Sequence, residues 1–268
     1  MSLKIKEFIG YMDEIAPVKL KESYDNVGFL IGDKEEKINK VLIALDATLE
    51  VIEEAKEKGV NLLITHHPLL FRKPSSITTD TLQGRKIIEL IKNDINLYSS
   101  HTNLDSAKNG MNDIIMDMLG FSTYEILEKN SFEENSGIGR IGDLEKEKTL
   151  EEMCDLAKKA LDLKFIKVVG AMDKKIKRVA VVNGSGQDFF EKARIKGADL
   201  IITGDTSYHF VSDYMEMGVS IMDIGHFSSE WPLFKSIGHN IEKYLKSKDE
   251  NIEVFISSRN KEPYNVIL

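Results

Sequence analysis

Apolar residues recur along this chain in two rhythms. Near the start, Leu3, Ile5, Phe8, Ile9, Met12 and Ile15 alternate with charged positions at the spacing of an amphipathic helix, and Pro17 ends it. Elsewhere the apolar positions form short runs closed by polar or glycine-containing turns. Lys40 to Leu45, Asn61 to Thr65 and Ile95 to Ser99 are three such runs, and Lys177 to Val182, Asp199 to Thr203 and Val219 to Ile224 are three more. Runs of this length predict buried strands. Between them, Leu49 to Lys58, stopped by Gly59, and Gln187 to Lys196, stopped by Gly197, predict helices. Each set is a βαβ unit, for which a parallel pair with a right-handed crossover is expected. Further helices are predicted over about Thr81 to Asn93, Asn109 to Leu119, Leu150 to Leu161 and Trp231 to Lys246, with a short strand inside Tyr24 to Asp33 and a last strand over Glu253 to Ser257.

The two sets are copies of one pattern. Without gaps, Val41 meets Val179, Ala55 meets Ala193, Gly59 meets Gly197, Leu62 meets Leu200, Ile64 meets Ile202 and Thr65 meets Thr203, at a constant offset of 138 residues. This predicts two similar α/β domains related by internal duplication. The polar stretch Glu128 to Gly137 suggests the boundary. The first domain is then expected over residues 1–125 plus 231–268 and the second over 126–230. The chain returns after the second domain and ends in a strand, and the first domain's sheet is its natural host.

Composition narrows the class. Hydrophobic residues make up 42% and charged residues 30%, values of a globular protein. A net charge of -8 argues against a nucleic-acid groove spread over the surface. No apolar run approaches the roughly 18 residues of a membrane span, so a cytoplasmic protein is expected. The single cysteine, Cys154, excludes an internal disulfide and a thiolate metal cluster, and its helical setting predicts a buried small hydrophobe.

Candidate chemistry begins where the run Leu62 to Thr65 stops on His66, His67 and Pro68. Side chains alternate along a strand, so adjacent histidines reach one site only where the strand is ending, and ligands gather at the carboxyl ends of such strands. The strand ending near Ser99 is followed by His101 and Asp105, and the strand Val219 to Ile224 by His226 and Glu230. Each half thus offers a histidine and a carboxylate four apart. Where the first half has His66 and His67, the second has Gly204 and Asp205, so the copies have diverged. His66, His67, Asp105, His226 and Glu230, with His101 and Asp205 beside them, are too many ligands for one closed tetrahedral zinc. They suit two divalent ions sharing a carboxylate. Zinc, iron and manganese are all admissible, and hydrolysis is the natural reaction class; a structural or storage metal site is the alternative. His101, just before Asp105, is better placed to orient a ligand or a leaving group.

Other signals are weaker. Gly137 to Gly142 lacks the strand and helix context of a dinucleotide fingerprint. Gly184-Ser185-Gly186 sits between a strand and a helix, where it either holds a phosphate or simply turns the chain. Thr149 and Glu152 form a capping box. Arg72, Lys73 and Arg140 are candidate partners for an anionic substrate, though solvated surface positions are the ordinary reading. His209 and His239 are expected in solvent or core.

Taken together, Tyr24-Asp25-Asn26-Val27-Gly28, Thr65-His66-His67-Pro68, His101-Thr102-Asn103-Leu104-Asp105, Gly139-Arg140-Ile141-Gly142, Thr203-Gly204-Asp205 and Gly225-His226 with Glu230 resemble the GTP cyclohydrolase 1 type 2 homologue family, the NIF3-like proteins that include the YbgI-like ones. The resemblance implies the NIF3-like fold, a dinuclear metal site in the cleft between the two domains, and a toroidal homohexamer. It carries the metal ligands onto His66, His67, Asp105, His226 and Glu230, with Glu230 expected to bridge the ions. Longer members carry an inserted domain between the halves; this chain has no room for one. The family name implies hydrolytic opening of the guanine imidazole ring of GTP, with Glu230 and His101 as the catalytic residues. Phosphoester hydrolysis and a non-catalytic, metal-binding regulatory or scaffold ring with protein partners stay open as alternatives.

Overall fold

The computed structural model describes residues 3–267. The first part of the chain forms α1 (Ile5–Ile15), β1 (Gly28–Ile31), β2 (Lys40–Ala44), α2 (Leu49–Lys58), β3 (Leu62–Thr65), α3 (Leu82–Lys92) and β4 (Asn96–Ser99). Next come α4 (Thr102–Ser106), α5 (Met111–Met118), β5 (Glu125–Lys129), β6 (Gly137–Thr149), α6 (Leu150–Leu161), β7 (Lys167–Val169) and β8 (Lys175–Ser185). The chain ends with α7 (Phe190–Ile195), β9 (Leu200–Gly204), α8 (Tyr208–Glu216), β10 (Ser220–Asp223), α9 (His226–Lys248) and β11 (Glu253–Ile256). Among the described residues, no helix is long and apolar enough to cross a membrane.

The chain divides into two compact units, one of residues up to 104 together with those from 234 on, the other of residues 105–233. The first unit holds a five-stranded sheet in the order β1-β4-β3-β2-β11. β11, β2, β3 and β4 run parallel, and β1 closes the edge antiparallel to β4. β3 and β4 are buried at every position, as parallel strands covered on both faces must be. Alternation sorts their side chains. Leu42, Ala44, Leu63 and Leu97 pack with Val51, Ile52 and Ala55 of α2 and Leu90 of α3. On the other face Tyr98 meets Phe8 of α1 edge to face, and Gly238 of α9 lets that helix approach Ile43 and Ile256. The last strand does join the first unit's sheet, pairing Val254 with Val41 and Ile256 with Ile43.

The second unit holds a six-stranded sheet in the order β5-β6-β8-β9-β10-β7. Its parallel centre, β8, β9 and β10, buries Ala180, Val182, Ile201 and Ile221 against Phe190 and Ala193 of α7. The polar segment Glu128 to Gly137 does not separate domains. It spans the turn of the antiparallel β5-β6 hairpin, and polar turn residues serve a hairpin as well as a linker. The boundary falls within α4, so Asp105 and α5 belong to the second unit. Gly137 to Gly142 is the start of β6.

Arg140 on that strand is also not a surface charge. It is 2% exposed, paired through Nε with Asp113, and donates from its terminal nitrogens to the carbonyls of Gly137, Gly139 and Ala107. A buried guanidinium needs its donors satisfied in this way. The Thr149 capping box is formed. Cys154 is buried, and burial pushes its thiol pKa up.

Candidate metal centre

The site in the first unit grows out of the carboxyl ends of β2, β3 and β4. Pairing continues one step past the strands, with His67 N donating to Leu45 O at 2.9 Å and Ser100 N to Thr65 O at 3.0 Å. The Thr65 hydroxyl ties the two chain exits together, donating to His67 O at 2.9 Å and sharing a 2.8 Å hydrogen bond with Ser99 Oγ. Here the alternation ends, and His66, His67 and His101 converge. Their ring centroids lie 5.1 to 5.5 Å apart, and one ring nitrogen from each lies within 4.8 Å of the others. His66 is fully buried, with Phe234 against its ring at 5.5 Å.

Each imidazole is oriented through Nδ1. His66 Nδ1 meets Ser100 O at 2.8 Å, His67 Nδ1 meets Asp46 Oδ1 at 3.0 Å, and His101 Nδ1 meets Asp25 Oδ2 at 3.0 Å. Carbonyl and carboxylate oxygens accept, so Nδ1 donates in every ring. Metal-binding histidines are held through one nitrogen in the same way, and Nε2 is then the nitrogen that would serve a metal. Asp25 also accepts from Thr102 N, Thr102 Oγ1 and Asn26 N. Burial by itself would raise its pKa, but the His101 hydrogen bond and charge, the Thr102 hydroxyl and the Asn26 amide outweigh it and bring the value down to about 2. Asp25 therefore remains a carboxylate when it faces His101.

The second unit assembles carboxylates. Asp205 follows β9 in the left-handed region at φ 50° and accepts from His226 Nδ1 at 2.7 Å, while His226 Nε2 lies 3.1 Å from Glu230 Oε2. The sequence suggests a helix starting at Trp231. Instead α9 begins at His226. Ser229 N bonds to Gly225 O, and Ser229 Oγ to His226 O, so a helical turn is already formed and His226 and Glu230 share one face.

Two adjacent residues near the end of β8 hold two of the unit's buried carboxylates. Asn183 Nδ2 donates to Asp105 Oδ1 at 2.9 Å, and Asn112 supports both by donating to Asp105 O and accepting from Asn183 N. Glu230, 2% exposed, lies over Gly184: a Cβ there would stand 2.2 Å from Glu230 Oε1, and the residue is at φ +61°. Glycine is what that approach requires. The Gly184-Ser185-Gly186 turn does not present its amides to a phosphate, because Gly184 N donates to Ser229 Oγ and Gly186 N to Thr203 Oγ1.

The structure thus brings His66, His67 and His101 together in one unit; in the other it joins His226 to Asp205 and Glu230 and holds Asp105 on Asn183. Sequence reasoning missed Asp46, Asn112 and Asn183, which hold candidate site residues without resembling any motif. Asp25 was visible only as part of Tyr24-Asp25-Asn26. His209 is exposed and His239 sits at the surface near Glu242. Imidazole and carboxylate donors without thiolate, with the imidazoles held at Nδ1, fit zinc, iron or manganese.

Fold and site together define a duplicated α/β protein carrying a three-histidine cluster of the kind that binds divalent metal. The family model for Duf34/NIF3 (NGG1p interacting factor 3) matches residues 3–263, and the chain belongs to this family. It is 54% identical over 265 residues to a GTP cyclohydrolase 1 type 2 homolog of Clostridium perfringens, covering 99% of this chain and 100% of the relative. A relative of the same name from Clostridium acetobutylicum is 49% identical, over 98% and 99% of the two chains. Among solved structures, a Bacillus cereus protein related to NIF3 matches with a TM-score of 0.91 at 26% identity, over 100% of both chains.

Proposed function

We propose that this protein is a divalent-metal-dependent hydrolase acting on a GTP-like nucleotide, with His66, His67, Asp105, His226 and Glu230 as ligands to a pair of ions. The observation that carries the reading is the common orientation of the imidazoles: His66, His67, His101 and His226 each give Nδ1 to an oxygen acceptor. Orienting the rings through Nδ1 leaves Nε2 as the nitrogen that would serve a metal. The relatives' name supplies the substrate class and the reaction, hydrolytic opening of the guanine imidazole ring.

Bound divalent ions would supply Lewis acidity and make water a nucleophile near neutral pH. The chain's own residues do the rest. Asp25, Asp46 and Asp205 fix the imidazoles, Asn183 fixes Asp105, and Gly184 admits Glu230. We assign proton handling at the reacting ring to Glu230 and His101. The assembly we propose is a homohexameric ring. A second reading, a non-catalytic metal-binding ring that docks protein partners, is favoured by one feature: α8 has no buried residue and shows Tyr208 and Phe210 to solvent, at 78% and 42%.

Elemental analysis of protein purified without added metal is the first test. About two ions per chain, reduced in Asp105→Ala, together with ring opening of GTP that is lost in Glu230→Gln, are the expected results. Phosphate release from GTP without ring opening would make the protein a two-metal phosphoesterase. Metal binding without turnover would favour the docking ring, and no metal above background after reloading would remove the hydrolase reading altogether.

A further inference from the structure

Tyr24 and Phe71 are large aromatic side chains left 63% and 42% exposed beside the imidazole cluster. Their rings meet edge to face at 6.3 Å, and the Phe71 ring stands 6.3 Å from that of His101. The pair is held firmly. Asn26 Nδ2 donates to Leu70 O at 2.7 Å, and Gln83 Nε2 donates to Leu69 O at 2.9 Å and Arg72 O at 3.1 Å. Side-chain amides thus fix the carbonyls on both sides of Phe71. The segment Tyr24-Asp25-Asn26 joins the pair to the cluster: Tyr24 supplies one ring, Asp25 holds His101, and Asn26 holds the Phe71 loop. Apolar rings kept in solvent by a braced loop offer a π-face that a planar ligand can cover.

Charge adds to this. Arg72 and Lys73 follow Phe71 directly and are exposed, two adjacent cations in a chain of net charge -8. Arg140, the third cation considered for an anionic substrate, is committed to Asp113 and three carbonyls. An aromatic surface next to paired cations matches a ligand with a planar ring at one end and an anionic tail at the other.

We propose that Tyr24 and Phe71 form a stacking shelf for the base of a nucleotide, and that Arg72 and Lys73 meet its phosphates. The proposal rests on the hydrolase reading, for which it names a substrate subsite. Equilibrium dialysis of the metal-loaded full chain against guanosine, GTP and inorganic triphosphate tests it. Phe71→Ala weakens guanosine and GTP binding by roughly ten- to a hundredfold, the range of a lost base-aromatic stack, and leaves triphosphate unchanged. Tyr24→Ala acts in the same sense, and Phe71→Tyr restores binding. The double variant Arg72→Ala with Lys73→Ala weakens GTP and triphosphate and leaves guanosine unchanged. The shelf is overturned if Phe71→Ala binds guanosine as tightly as the unaltered protein, or if the unaltered protein binds triphosphate but not guanosine, or neither. Metal content of the same samples separates the two ideas: a full complement of metal without guanosine affinity sinks the shelf alone, whereas absence of metal sinks the hydrolase reading.

Discussion

The two units were built from one pattern, and what each kept differs from what each changed. β2 pairs with β3 at Val41 and Leu62 through Ala44 and Thr65, and β8 with β9 at Val179 and Leu200 through Val182 and Thr203, the same register displaced by 138 residues. The foot of the pattern is retained atom for atom. Asn61 Oδ1 accepts from the amides of Asn39 and Lys40, and Asp199 Oδ2 from those of Lys177 and Arg178. Asn61 N bonds to Lys40 O, and Asp199 N to Arg178 O. These are backbone groups that the parallel ladder cannot satisfy, and one side-chain oxygen satisfies two of them.

At the carboxyl edge the units part. His66 is replaced by Gly204 and His67 by Asp205, and a Cβ on Gly204 would lie 2.8 to 2.9 Å from the backbone of Gly225 and His226. The second unit has drawn that backbone into the space the first gives to an imidazole. Counted from the paired positions Thr65 with Ser99 and Thr203 with Asp223, His101 corresponds to Gly225, not His226. The two histidine and carboxylate pairs are therefore one residue out of step. The strand feet, by contrast, keep their register.

The largest effect is expected where the units differ most. Gly204→Ala forces a methyl into the 225–226 backbone and should cost about 3 kcal/mol, at the upper end for overpacking, read as a lowered denaturant midpoint. An unchanged midpoint would mean that the 225–226 turn is easily displaced and that glycine there is not a steric requirement. Next come the shared feet. Asn61→Ala and Asp199→Ala each leave two part-buried amides without their acceptor and should each cost about 2 kcal/mol. Asp199→Asn, which keeps an acceptor oxygen, should recover most of the loss in urea unfolding. A strongly unequal cost for the two alanine variants would break the equivalence drawn here.

The duplicated frame was legible because it rests on local signals: apolar runs, a glycine stop after each helix, and an offset that stays constant. The histidine cluster was legible because His66 and His67 follow the end of one strand and His101 the end of the next. What was not legible depends on partners far away in sequence. Arg140 looks solvated until Asp113, from another element, comes to it. Asn183 reads as the polar end of a strand until it meets Asp105. The 128–137 segment misled because a hairpin turn and a linker share a composition. The start of α9 was placed too late because its first turn is closed by Ser229 and Gly225, ahead of Trp231.

The smallest effect concerns one position of the repeat. Glu54 of α2 corresponds to Lys192 of α7, and the two serve different sheet edges. β2 has β11 beside it, whereas β8 has β6. Glu54, 2% exposed, accepts from Ser257 Oγ, from the amide and hydroxyl of Ser258 and from Arg259 N, fastening the chain that leaves β11. Lys192 is at the surface and pairs with Glu128. Burial alone would raise the Glu54 pKa, but the Ser257, Ser258 and Arg259 hydrogen bonds prevail and lower it below the usual carboxylate value of 4.5. A carboxylate depressed in the folded state contributes stability that is fully present above the unfolded value and is lost as pH falls through the folded one. Glu54→Gln should therefore cost about 1 kcal/mol at pH 7, and the difference from the unaltered protein should shrink in acid below the ordinary carboxylate range. Lys192→Gln should stay within about 0.5 kcal/mol at either pH, as exposed pairs do. Denaturation curves at neutral and acid pH decide it: a Glu54→Gln cost that does not change with pH would mean that these hydrogen bonds hold the side chain by shape and not by charge, and that the last strand is fastened without an ionised anchor.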